Sequence, residues 1–224
     1  SMSGGQFKVP VTFRGPSGAA LQLSAQHSQA LEAMYAHFPG MKVVVPGTPA
    51  DAKGLLKAAI RDNDPVCVFE GEMLYNIKGE VPEDPDFIIP LGVAELKRVG
   101  SDVSIITHGK MIHNALAAAD KLEKEGISAD VLDLRSLRPL DVDAILATVI
   151  KTNRVVLVEE GWSFGGITST VAAIIQEEAF DHLDAPILRV TQADVPMPYA
   201  KGLEKIAKPS TDMIVEKVHK VLYR

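Results

Sequence analysis

The feature that most constrains this chain is an alternation. Short, unbroken apolar runs are each followed by a stretch with helical periodicity. Val103 to Thr107 is one such run. Met111 to Glu125 follows it, with Ile112, Ala115, Leu116, Ala119 and Leu122 on one face. Ala129 to Leu134, Val155 to Val158 and Ile187 to Thr191 repeat the strand signal. Between and after them lie helical stretches. Asp141 to Lys151 turns Ile145, Leu146, Val149 and Ile150 inward, and Gly166 to Ala179 enters through a glycine pair. The last is capped by Ser210 and carries Ile214, Val218, Val221 and Leu222. A strand that is apolar on both faces needs a cover on both. Strand–helix–strand crossovers supply it, so the pattern predicts an α/β fold with a mostly parallel sheet.

The upstream part follows the same rhythm. Val9 to Phe13 reads as a strand and Arg14 to Gly18 as a turn-rich loop. Ser28 to Phe38 reads as a helix closed by Pro39-Gly40, and Val43 to Val45 as a strand. Thr48 caps a helix with Pro49 at its first position. That helix carries Leu55, Leu56, Ala59 and Ile60, ends near Asp62-Asn63, and precedes a strand from Val66 to Phe69. Glu70 to Pro90 breaks the alternation with prolines and mixed charge. The expected organisation is two α/β units, 1–75 and 91–224, joined by a connector at 76–90. Ser1-Met2 reads as a cloning scar.

Composition excludes several classes. Hydrophobic residues at 46% argue against disorder, and the single Cys67 against a disulfide scaffold. No apolar run reaches the ~20 residues of a membrane span. A formal charge of −6 argues against nucleic-acid binding. A single cysteine suits a reducing compartment. No P-loop, GxGxxG, HExxH, CxxC or GxSxG motif occurs.

Function must therefore rest on scattered groups. His27 stands where a loop enters a helix, a position that commonly faces ligands, although a surface or capping histidine fits as well. Ala59 to Asp64 is an oxygen-rich helix end. Its last carbonyls lack helical partners and could meet a cation, or simply meet solvent. Glu159 and Glu160 end a strand just before Gly165-Gly166. That pair allows either anion approach or close packing, the latter against Trp162. His108 sits after a strand at the same kind of edge. His113 reads as a surface residue, Cys67 as a buried small hydrophobe, and Ala193 to Tyr199 as a stiff contact loop.

Several runs together carry a resemblance. They are Met2-Ser3-Gly4-Gly5, Val11 to Pro16, Ala25-Gln26-His27-Ser28-Gln29, Asp51 to Leu55, Ile60-Arg61-Asp62-Asn63, Ser136 to Pro139, Val158 to Trp162 and Ala193 to Ala200. In this order, over nearly the whole chain, they resemble the β subunits of the pyruvate dehydrogenase first component. The branched-chain 2-oxo acid and acetoin dehydrogenase β subunits share most of them. The resemblance implies part of a pyrimidine-binding domain followed by a transketolase C-terminal-type domain. It implies thiamine diphosphate shared with an α subunit that also holds Mg²⁺, and oxidative decarboxylation of pyruvate. The acetyl group would pass to the lipoyl arm of a dihydrolipoyl acetyltransferase core. Two α and two β subunits would assemble, in the cytoplasm of a bacterium or the mitochondrial matrix of a eukaryote.

The resemblance also implies residue roles. His27 matches the family's active-site histidine. Val11, Ala59, Ile60, Asp62 and Asp64 match a potassium site built largely from main-chain carbonyls. Asp184 and the C-terminal Arg224 match contacts with the acyltransferase core. The family's cofactor-activating glutamate lies ahead of the Met-Ser-Gly-Gly motif, and neither Glu70 nor Glu72 matches it. The expectation is a truncated β subunit, inert alone, acting either within the heterotetramer or as a non-catalytic assembly module.

Overall fold

The computed structural model describes residues 2–224, and Ser1 of the supposed scar lies outside them. In the first unit, β1 (Thr12–Ser17), β2 (Lys42–Val44) and β3 (Val66–Gly71) frame α1 (Glu32–Ala36) and α2 (Pro49–Arg61). The strands run in parallel, with β3 between β1 and β2. The fourth strand of this sheet comes from the other unit: β7 (Ser136–Arg138) pairs antiparallel with β2.

The second sheet has five strands in the order β4-β6-β5-β8-β9. β4 spans Glu95–Arg98, β5 Val103–Thr107, β6 Ala129–Asp133, β8 Val155–Trp162 and β9 Leu188–Gln192. β4 is antiparallel and the other pairings are parallel. The helices are α3 (Met111–Glu123), α4 (Val142–Thr152), α5 (Ile167–Glu178), α6 (Lys201–Ala207) and α7 (Thr211–Val221).

Alternation along each strand sorts side chains to the two faces. Val103 and Ile105 of β5 join α3 and α7 in one core, while Ile106 faces α4 and α5 in another. That second core does not stop at the unit boundary. It includes Val43, Val45 and Cys67 of the first unit. The far face of the first sheet (Val44, Val66, Val68) packs on Leu55 and Ala59 of α2 and on Ile89. The expected two units are thus joined by a common core and a shared sheet.

Three sequence expectations need correction. Arg14 to Ser17 is not a loop but most of β1, an edge strand that pairs only with β3. Pro16 is tolerated there because an edge strand has one side free of ladder bonds. The helix expected from Ser28 to Phe38 shrinks to Glu32–Ala36. Just ahead of it, the Leu31 N–H donates to the Ser17 hydroxyl at 3.3 Å, a tertiary partner in place of a helical one. Ile60 and Ile150, expected inward, are exposed. The stretch between η-turn Glu72–Leu74 and β4 is free of regular structure but strapped to α2. Ile89 N–H donates to the Gly54 carbonyl at 3.2 Å, and the Lys53 and Lys57 ammonium groups reach the carbonyls of Pro82, Asp84 and Pro85.

Candidate functional site

Polar groups converge where the parallel strands end. Ser17 closes β1, His108 and Lys110 follow β5, Asp133 ends β6, and Glu159 and Glu160 lie in β8. Glu32 of α1 points into the same region, and its carboxylate accepts the Ser17 hydroxyl at 2.7 Å. The Ala19 N–H donates to Glu160 at 2.7 Å. The Lys110 ammonium bridges Glu160 and the Ala19 carbonyl. Burial pushes the Glu160 carboxyl above its ordinary pKa, against the pull of Lys110. Gly18, at φ +81°, lets the chain pass this carboxylate, because a Cβ there would overlap it.

These anchors hold the loop that carries His27. Gly18 N–H donates to the Gln29 carbonyl at 2.9 Å, closing the loop at its base. His27 ends a 3-10 turn, Ala25–His27, and its ring is exposed. Ala25 and Gln29, on either side, line a cavity of about 300 Å³ with Trp162, Asp194, Val195 and Pro196. The Trp162 indole N–H donates to the Val195 carbonyl at 3.1 Å, so the proline-rich loop is pinned beside this cavity.

The start of α5 is already filled by the chain's own carboxylate. Glu159 accepts the N–H groups of Ile167 (3.0 Å) and Thr168 (3.2 Å) and the Thr168 hydroxyl. Gly166 is the N-cap residue, and a Cβ there would overlap Glu159. Of the two sequence readings of this glycine pair, close approach is the one seen: a Cβ at Gly166 would overlap both the Glu159 carboxylate and the Trp162 carbonyl oxygen. His108 lies at the strand edge as anticipated, and it is buried there, which the sequence did not indicate. His113 is half-buried rather than superficial, with Nε2 2.8 Å from the Gly47 carbonyl oxygen. Cys67 is buried, and burial pushes its thiol pKa up.

At the end of α2 the Lys42 ammonium lies 2.8 Å from both Asp62 oxygens and 3.1 Å from Asp64. Burial pushes the Asp62 carboxyl up, but Lys42 outweighs it and holds the pKa below the ordinary value. The Val11 carbonyl accepts the Val66 N–H at 3.0 Å, and the Ala59 carbonyl accepts the Asp62 N–H at 3.3 Å. Each keeps a second lone pair. The five residues named from sequence therefore fall in one neighbourhood, with one ammonium, that of Lys42, shared by their two carboxylates. Among the described residues no group of three or more His, Cys, Asp or Glu is arranged to hold a metal ion.

A cavity of about 410 Å³ opens beside the start of α2, lined by Arg14, Thr48, Lys53, Leu56, Glu70 and Tyr75 among others. Glu70 is its single acidic wall residue, and it is engaged. The Arg14 guanidinium lies at 2.8 Å and the Tyr75 hydroxyl donates at 3.0 Å. On the opposite surface the exposed Asp184 pairs with Arg154 at 3.3 Å. The Tyr223 hydroxyl reaches the Asp184 carbonyl at 3.3 Å, which brings the exposed Arg224 to the same face. Sequence reasoning missed Glu32, Lys110 and Asp133. Only Asp133 left a signal, a carboxylate inside an otherwise apolar strand.

Two family models match the chain: the transketolase pyrimidine binding domain over residues 1–78 and the transketolase C-terminal domain over 92–214. The pyruvate dehydrogenase E1 component subunit beta of Rickettsia felis is 50% identical over 222 residues, covering 99% of this chain and 68% of the relative. The chain belongs to the pyruvate dehydrogenase E1 β-subunit family. Mitochondrial subunit beta-2 of Oryza sativa is 52% identical over all of this chain and 60% of its own length. The Rhizobium meliloti subunit is 48% identical, again over all of this chain but 48% of its own length. The chain thus spans about half to two thirds of the length of these relatives. Among solved structures, a split gene transketolase described as an inactive beta4 tetramer superposes with a TM-score of 0.77. It is 31% identical over 96% of this chain and 67% of that one. Among the described residues no helix is long and apolar enough to cross a membrane.

Proposed function

We propose that this member of the family serves as a β subunit of a thiamine-diphosphate-dependent pyruvate dehydrogenase. The observation that carries the proposal is 50% identity to a named E1 β subunit over 99% of the chain. The oxidative decarboxylation of pyruvate, the α subunit, a second β subunit and the dihydrolipoyl acetyltransferase core enter on the same ground. So does the host-dependent location in cytoplasm or mitochondrial matrix. Within this reading, residues 1–75 form the pyrimidine-domain part, 76–90 the connector and 91–224 the C-terminal domain.

By itself the chain does not complete a cofactor site. Glu70 is committed to Arg14 and Tyr75, so the 410 Å³ cavity offers no free carboxylate to a heterocycle. Diphosphate and Mg²⁺ would be held by the α subunit. The part we assign to this chain is His27. An exposed imidazole on an anchored loop has the donor and acceptor nitrogens that general acid–base chemistry requires. Main-chain oxygens of Val11, Ala59 and Ile60, with Asp62 and Asp64, form the proposed monovalent-cation site. Lys42 offsets one of the two carboxylate charges, so an ion such as potassium would meet main-chain oxygens and one uncompensated negative charge. Asp184 and Arg224 form the proposed contact with the core.

The deciding experiment combines the chain with the α subunit of its source, thiamine diphosphate and Mg²⁺. It reads pyruvate-dependent reduction of an artificial electron acceptor. Turnover supports the enzyme-subunit reading. Complex formation without turnover supports the second reading, an assembly module. Failure to bind the α subunit overturns both.

A further inference from the structure

His108 is buried at the end of β5, and both ring nitrogens lack a hydrogen-bond partner among the described residues. Its nearest charged neighbour belongs to the other unit. Nε2 lies 3.6 Å from the Glu32 carboxylate, an ion-pair distance too long for a hydrogen bond. Glu32 is equally buried, on α1, immediately after the loop that carries His27. The narrow space beside them, bounded also by Ser17, Gly71, Lys110 and Glu160, is about 20 Å³, room for about one water. Little solvent is available to screen the pair, so its energy depends strongly on whether the ring carries a proton.

The other groups facing the pair mostly favour that proton. Glu159 of β8 and Asp133 of β6 both add negative potential at the ring. Lys110 and Glu160 form their own ion pair, bridged to Ala19. Ser17 of β1 donates a hydroxyl to Glu32. Glu32 itself has no other cationic partner among the described residues. We propose that His108 and Glu32 form a proton-operated clamp between the two units. The protonated ring holds α1 and the His27 loop against the end of the second sheet, and loss of its proton releases them.

The pKa directions agree with this geometry. Burial pulls the His108 pKa down, but the facing carboxylates Glu32, Glu159 and Asp133 together outweigh it and the net shift is upward. Burial pushes Glu32 up, but His108 and Ser17 outweigh it and the net shift is downward. A histidine whose folded pKa exceeds its unfolded value stabilises fully below the unfolded value. That contribution is lost as pH rises through the folded one. The clamp therefore opens as pH rises above the ordinary histidine range. Asp133 titrates in the same window, its carboxyl pushed up to about 7 by burial and by Asp51. Its ionisation has to be separated from that of His108.

The test is amide hydrogen exchange of the chain between pH 6 and 9, corrected for the intrinsic rate, alongside NMR titration of the His108 ring. Opening of residues 18–36 should increase about tenfold for each unit by which the His108 pKa exceeds its unfolded value, while α3 stays protected. Its midpoint should coincide with the ring titration. Glu32→Gln and His108→Gln should each abolish the pH dependence, and Asp133→Asn should leave it. Opening that ignores pH, a midpoint more than about one unit from the ring titration, or a rise that survives in E32Q would overturn the clamp. Loss of the rise in D133N would assign it to Asp133 instead. The first two readings need only the unmodified chain, so a variant that fails to fold does not shield the proposal.

Discussion

Single side chains in this molecule hold segments rather than merely filling space. The Thr48 hydroxyl accepts the Asp51 N–H at 3.2 Å at the start of α2, while its own proton goes to the Asp51 carboxylate at 2.6 Å. Thr48→Ala removes both bonds and should lower stability by about 1 kcal/mol, read by urea unfolding. Asp51 would keep its ion pair with Arg135 at 2.8 Å. Gly18 works under a stricter constraint, because its positive φ and the nearby Glu160 leave no room for a Cβ. Gly18→Ala should cost about 2 kcal/mol or more and should loosen the His27 loop first. An equal loss of protection throughout the chain would contradict that local picture. His27 carries no comparable structural duty. In the α-containing complex, His27→Ala should reduce turnover by about a hundredfold or more with the melting temperature unchanged. A fall in stability as large as the fall in rate would make His27 a packing residue.

At the level of elements, α2 and the connector form one packed assembly. Leu55 is fully buried against Val44, Val66, Val68 and Ile89. This cluster is distinct from the two larger cores. Leu55→Ala should cost about 2–5 kcal/mol. Its effect on hydrogen exchange should concentrate in α2 and residues 80–91, with α3 and α7 protected until global unfolding. Uniform loss would show that the clusters melt together. β1 shows how an element survives unfavourable composition. With Gly15 and Pro16 in its middle it could not be a central strand, but it pairs on one side only.

At the scale of the whole molecule, the joint between the units is both apolar and charged. Core residues from both units mix, β7 crosses into the first sheet, and buried ions line the seam. Glu32, whose folded pKa lies below its unfolded value, contributes stability above the ordinary carboxylate range. That contribution is lost as pH falls through the folded pKa. Acid unfolding of Glu32→Gln should therefore be less steep than that of the unmodified chain, when followed by circular dichroism between pH 5 and 2. An identical acid profile would mean that Glu32 carries no net linkage. With His108 deprotonating on the other side, the seam is tightest between the two limits.

What the sequence by itself determined is the class and most of the elements. Runs such as Val103 to Thr107 and the stripe Ile112, Ala115, Ala119, Leu122 are local signals, and local signals survive folding. The caps Thr48 and Ser210 were legible for the same reason, since each bonds within three residues of itself. The motif order also placed the chain in its family. The tertiary structure alone decided where charge is buried. Glu32 looks like any helix-surface glutamate, and His108 like any residue after a strand, until the units close on each other. It alone decided that Ser136 to Arg138 completes a distant sheet, that Lys42 rather than solvent meets Asp62 and Asp64, and that Glu159 fills the start of α5. The first two depend on residues well apart in the chain and the third on a return of eight residues from strand to helix, and no local pattern encodes the desolvation and pairing they undergo on contact.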